Sequence, residues 1–181
     1  DGVLAIILTI MVLEIKVPEG ADFHALQKVI PVFIRYILSF IYIGIYWNNH
    51  HHLLQTVRSV NGAILWANLH LLFWLSLIPF VTGWMGENHF APWTVAVYGG
   101  VLTFAGAAYF ILTQILIAHH GRDSTLATAV GADRKGKISV MVYLVAIPMS
   151  FVAEWIALGL YVSVAIMWLI PDRRIERNLA G

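Results

Sequence analysis

"ISVMVYLVAIPMSFVAEWIALGLYVSVAIMWLI", residues 138–170, runs for 33 residues with Glu154 as its only formal charge. As one helix it would be about 50 Å long, which is too long for a single crossing of a hydrocarbon core roughly 30 Å thick. Cut in half it makes two helices of about 24 Å, short but able to span. The chain therefore turns near Glu154, with Gly159 close by. This reading fixes the number of spans at six instead of five.

The composition identifies the solvent for the whole chain. With 60% hydrophobic residues, 12% charged residues and a mean hydropathy of +0.78, it has too little charge to coat a water-facing surface. The apolar residues lie in long blocks separated by polar loops, as a bilayer requires. These blocks are Gly2 to Val17, Pro31 to about Asn48, Gly62 to Met85, Pro92 to Ala118, and the two halves of 138–170. Pro31 and Pro92 are read as first-turn residues, where a missing N–H costs nothing. The predicted fold is all-α: one six-span membrane domain over residues 1–181, with no internal repeat. The chain lacks cysteine, which excludes disulfides, thiolate metal sites and thiol nucleophiles. It begins at Asp1 without Met, and a few upstream residues are expected.

Six spans place both termini on one side. That side would carry Arg58, Arg122, Arg134, Lys135, Lys137, Arg173, Arg174 and Arg177, against Lys16 and Lys28 opposite. The positive-inside rule then assigns cytoplasmic termini. It also supports the turn at Glu154, because five spans would send "PDRRIER" outside. Trp47, Trp84, Trp93 and Trp168 fall near helix ends, where interfacial indoles are expected.

In the first block Thr9 is the only residue between Val3 and Leu13 with a hydrogen-bonding side chain. At 100° per residue, Gly2, Ile6, Thr9, Ile10, Leu13 and Val17 form one stripe. Two readings are open. The hydroxyl can bond a carbonyl one turn back on an ordinary packing face. Alternatively, copies of the helix can meet around an axis and make a pore with aliphatic rings and one hydroxyl ring.

"DGVLAIILTIMVLEIKVP" resembles the first helix of the prokaryotic TMEM175-type potassium channels, in which a Phe-Ser-Asp motif opens the helix and Asp1 would be its Asp. "YWNNHHHL" is similar to that family's Trp-x-x-His-His element, carried here by Trp47, His50 and His51. The likeness continues through "WANLHLLFWLSLIPFVTGWMGE" and "MWLIPDRRIE", and so covers essentially the whole chain in order. The resemblance implies a homotetramer in the plasma (inner) membrane of a prokaryotic cell, with first helices lining a central pathway and no re-entrant filter loop. It places Ile6 at the narrowest constriction, with Thr9, Ile10 and Leu13 pore-lining. Asp1, Trp47 and His51 would form a polar network bracing the first helix, and His50 is an additional candidate for it. No cofactor is implied beyond permeant potassium ions, and the partners are other copies and membrane lipid, not nucleic acid.

A hydrophobic constriction gates by dewetting, and a modest widening would pass a partly hydrated ion. Potassium sheds water at lower cost than sodium, so moderate selectivity of a leak type is expected, with Thr9 oxygens available beyond the constriction. Glu14 would concentrate cations at the outer mouth or simply sit solvated at the interface. Proton conduction is a neighbouring alternative.

Other motifs point to competing classes. "TVAVYGG", residues 94–100, looks like a TVGYG filter, yet it lies inside a long apolar block and not in a short re-entrant loop. Gly99, Thr103, Gly106 and Ala107 instead suggest a small-residue face for close helix contact. A His-rich membrane metalloenzyme would need imidazoles at repeated two-to-four-residue spacing. His50–His52 are consecutive and point in different directions, while His70, His89, His119 and His120 make no such pattern. A carrier would pair broken helices across two repeated halves. Pro148 and Gly159 interrupt the last two helices, a single region of breaks that reads as a kink and a turn, and Arg35 and Glu154 are read as interfacial or paired charges.

Overall fold

The computed structural model describes residues 2–55, 57, 59–121 and 134–169, without the side chains of Glu14 and Arg134. Asp1, Arg58, Arg122 and the terminal "PDRRIER" lie outside the described residues. Among the described residues the chain is helical, with no strand.

α1 spans Gly2–Ile10 and tightens into a 3₁₀ turn over Met11–Glu14, after which Ile15 is extended at ψ 97°. The helix is therefore shorter than the apolar block, and Val17 is not on it. Pro18 supplies the local reason, since a proline disfavours the α conformation of the residue before it.

α2 spans Phe23–Gln55, so it starts earlier and ends later than the sequence pattern suggests, with Pro31 inside it. The start is set by Asp22, whose carboxylate accepts from the backbone N–H of Ala25 at 2.9 Å. A carboxylate cap satisfies a free first-turn donor and complements the helix dipole, which outweighs the one backbone bond that Pro31 cannot make.

The third apolar block forms two successive helices, α3 over Gly62–Ser76 and α4 over Ile78–Glu87. Pro79 lies just past the break at Leu77 and offers no N–H to the carbonyl of Leu75, so Leu77 bonds back to Trp74 in a tighter turn. Asn61 caps α3, its side-chain oxygen accepting from the Ile64 N–H at 3.0 Å. The connection to the next helix is sharp, and His89 and Phe90 both adopt left-handed backbone, with φ of 49° and 60°.

α5, Pro92–His120, begins with Pro92 in its first turn and stops at Gly121, whose φ of 92° no β-carbon would favour. The filter-like residues Thr94 to Gly100 are all helical within it.

The run 138–170 divides as expected. α6 spans Arg134–Met149 and α7 spans Glu154–Leu169, joined by a turn in which Phe151, Val152 and Ala153 donate to the carbonyls of Pro148 and Met149. Glu154 opens α7, where its charge suits the helix N-terminus. Pro148 lies within the last turn of α6, and Gly159 does not interrupt α7.

α5 is the central element, packed against α3, α4, α6 and α7. Its buried residues include Leu102, Ala105, Ala108 and Leu112. An aromatic cluster ties three helices to it: Tyr42, Tyr98, Tyr161 and Tyr143 form a chain of ring contacts at 5.6–6.0 Å. The Tyr42 hydroxyl donates to the Tyr161 carbonyl at 2.6 Å. In hydrocarbon such contacts matter because burial from water no longer drives helices together, leaving packing and hydrogen bonds to do so.

Counting α3 and α4 as one kinked segment, the described helices make the six expected segments. Phe23–Gln55, Gly62–Glu87 and Pro92–His120 are long and apolar enough to cross a membrane by themselves, while Gly2–Leu13 and Glu154–Leu169 are shorter apolar helices.

Candidate ion pathway

α1 is apolar on every side, and packing separates its two faces. Leu4 and Met11 are buried, with Ile7 and Leu8 half-buried, against α2 and α3. At 100° per residue these four lie opposite Ile6, Thr9 and Ile10. Ile6 is 57% exposed, Ile10 55% and Leu13 76%. The 3₁₀ turn advances the phase by about 120° per residue, which leaves Leu13 on the same side as Ile6. The exposed side thus includes Gly2, Ile6, Thr9, Ile10 and Leu13, flanked by Val3, Ala5 and Val12, which are exposed too.

The Thr9 hydroxyl is shared between the carbonyls of Ala5, at 3.0 Å, and Ile6, at 3.1 Å. This is the backbone tie anticipated for a hydroxyl in an apolar helix. A hydroxyl that donates inward keeps its lone pairs outward, so the bond and an acceptor role on the exposed face are compatible.

Of the proposed bracing residues, Asp1 lies outside the described residues. Trp47 and His51 are stacked, with ring centroids 5.4 Å apart and planes inclined by 20°. The Gln55 amide donates to His51 Nε2 at 2.8 Å. His50 faces another way and is buried, its Nε2 donating to the Asn68 side-chain oxygen on α3 at 2.7 Å. Helical geometry separates the two histidines, since adjacent residues do not share a face.

Sequence reasoning missed Asn68, although a signal existed: it is the one amide within the apolar run Ala63–Leu69, and such an amide needs a partner. It also missed the tie between helix ends formed by His119. There the Asn61 amide donates to Nδ1 at 3.2 Å, and Ser59 meets Nε2 at 3.1 Å. His70 accepts from the Trp74 indole at 3.0 Å. Among the described residues no group of three His, Cys, Asp or Glu side chains could hold a metal.

Of the small-residue face on α5, Gly99 makes close contact: a β-carbon there would strike the Tyr161 ring. Gly106 does not, because the nearest atom to its β-position is the Tyr46 hydroxyl at 4.0 Å. Arg35 reaches α4, where it donates to the Gly83 carbonyl at 3.2 Å and its side chain lies against Gly86.

Comparison with known proteins gives the arrangement its context. The family model described as "Endosomal/lysosomal potassium channel TMEM175" matches residues 1–79. A potassium channel of Chryseobacterium sp. (strain P1-3) is 56% identical over 179 residues, 99% of this chain and 93% of that protein. One from Chamaesiphon minutus is 27% identical over 94% of this chain and 90% of its own length. Among solved structures, the crystal structure of a lysosomal potassium-selective channel TMEM175 homolog from Chamaesiphon minutus matches with a TM-score of 0.75 at 28% identity, covering 95% of this chain and 93% of that one. By its near-complete kinship with these channels, the chain belongs to the prokaryotic TMEM175-type potassium channel family and is not an enzyme.

Proposed function

We propose that four copies of this chain surround an axis with their first helices inward and conduct potassium through a pathway narrowest at Ile6, with Thr9, Ile10 and Leu13 lining the rest. The observation that carries the reading is the two-faced packing of α1: Leu4 and Met11 are consumed by the subunit's own core, while Ile6, Ile10 and Leu13 remain uncovered. One helix cannot enclose a pore, so symmetric copies must complete it. Kinship over nearly the full length with proteins named as potassium channels supports the ion.

Isoleucine side chains offer no oxygen to replace hydration water. The constriction therefore works as a dewetting barrier that selects by hydration cost when slightly widened, and selectivity is moderate. The Thr9 oxygens lie one turn beyond. The channel resides in the plasma membrane of a prokaryotic cell with its termini on the cytoplasmic side, an orientation that the lysine and arginine distribution supports. It needs no cofactor beyond the permeant potassium ion.

The test is single-channel recording of the purified protein in planar bilayers, with subunit number measured in detergent. Ile6→Asn should raise sodium permeability relative to potassium. An unaltered conductance and reversal potential in that variant, or a monomeric protein, overturns the assignment.

A further inference from the structure

A cavity of about 440 Å³ opens between the C-terminal halves of α2 and α7, the middle of α5 and the start of α6. Its walls include Tyr46, Gly106, Tyr109, Val140 and Trp168, with Lys137 beside them. From Tyr42 to Asn49 on α2, and from Gly136 to Tyr143 on α6, it follows each helix for about 10 Å at 1.5 Å per residue.

The walls are rich in aromatic residues, and three of these have their polar tips engaged in hydrogen bonds within the protein. The Tyr42 hydroxyl donates to the Tyr161 carbonyl at 2.6 Å, that of Tyr109 to the Asn49 carbonyl at 3.3 Å, and the Trp168 indole N–H to Ser139 Oγ at 2.8 Å. These rings therefore turn carbon toward the space. An apolar pocket of this kind repels a hydrated ion and suits a hydrocarbon chain. At its α6 end the polarity reverses. Lys137 is exposed, and Lys135 Nζ sits 5.8 Å from the centroid of the Trp168 ring. Both lysines lie in the first turns of α6, where the helix dipole adds to their positive charge.

We propose that this cavity binds the acyl chain of an anionic phospholipid whose phosphate rests on Lys137 and Lys135. Charge complementarity selects this occupant: an apolar slot with Lys137 in its lining and Lys135 over the neighbouring Trp168 ring matches a tail joined to a negative headgroup. Gly106 keeps the slot open, because a side chain there would enter free space and not a neighbour's atoms. The site is separate from the α1 stripe, so it stands whatever the ion pathway proves to be.

The test is photolabelling of the delipidated full-length protein with phosphatidylglycerol carrying a diazirine in its acyl chain, followed by peptide mapping. Adducts should concentrate on the α5 and α6 segments containing Tyr109, Val140 and Met141. Gly106→Leu should remove at least four-fifths of that labelling while eluting and melting as the parent does. On the unaltered protein, unlabelled phosphatidylglycerol should compete better than phosphatidylcholine of the same chains, with the preference falling about fivefold for each lysine changed in Lys137→Gln and Lys135→Gln. Labelling spread evenly over the membrane-facing surface overturns the proposal, as does equal competition by the two lipids. Crosslinking of the cavity to a second copy of the chain would show a protein occupant and overturn it equally. Should Gly106→Leu fail to fold, the competition experiment decides alone.

Discussion

His50 on α2 and Asn68 on α3 meet at 2.7 Å between Nε2 and the amide oxygen, in a site where His50 is 1% exposed. The pair joins two membrane helices through a hydrogen bond that hydrocarbon cannot replace. Asn68→Leu should therefore destabilise the protein by about 1–2 kcal/mol, by leaving the imidazole without this acceptor. A double-mutant cycle with His50→Leu, read by thermal melting in detergent, should give a double variant less destabilised than the sum of the singles. Simple additivity would show that the contact contributes nothing.

Neighbouring glycines on α5 should behave in opposite ways. A β-carbon at Gly99 meets the Tyr161 ring and lies 3.0 Å from Ile147, whereas at Gly100 nothing stands within 4 Å. Gly99→Ala should cost about 1–3 kcal/mol through overpacking. Gly100→Ala should be neutral or stabilise by up to about 1 kcal/mol, since alanine is the better helix former. Melting curves of the two variants check this. Loss of potassium selectivity in Gly100→Ala would instead give "TVAVYGG" the filter role that its helical conformation argues against.

Arg35 and Gly86 are matched in shape. Any side chain at 86 must displace the arginine stem and with it the bond to the Gly83 carbonyl. Gly86→Leu should lower the melting temperature by several degrees. Combining it with Arg35→Met should recover part of the loss, because a shorter neutral side chain can move aside without stranding a charge. Lack of any recovery would mean that Gly86 is needed for some other contact.

Thr9 separates folding from conduction. Among the described residues its hydroxyl bonds only to its own helix, and its face is exposed within the subunit. Thr9→Val should change stability by no more than about 0.5 kcal/mol, while lowering unitary potassium conductance in bilayer recordings. A large fall in melting temperature with unchanged conductance would place the residue in a packing interface.

Much of the fold was legible because a bilayer reduces the question to counting. Backbone groups in hydrocarbon must bond within their own helix, so the length of an apolar run converts directly into spans. The turn at Glu154 and the helical nature of residues 94–100 followed from that arithmetic. Boundaries set by local chemistry were less visible. The Asp22 cap moved the start of α2 ahead of Pro31, and Pro18 with the 3₁₀ turn cut α1 short of Val17.

By itself the sequence determined the solvent, the number of segments and the face on which Ile6, Thr9, Ile10 and Leu13 align, since all three depend on periodicity and length along one chain. Tertiary structure alone decided which side of an all-apolar helix is used up by its own subunit, because Leu4 and Ile6 are equally hydrophobic and differ only in what packs against them. It also decided the pairing of His50 with Asn68, and that Gly99 abuts a ring while Gly106 opens a cavity. Each of these is a meeting of residues distant along the chain, set by how the helices rotate and cross, which no spacing within a single segment encodes.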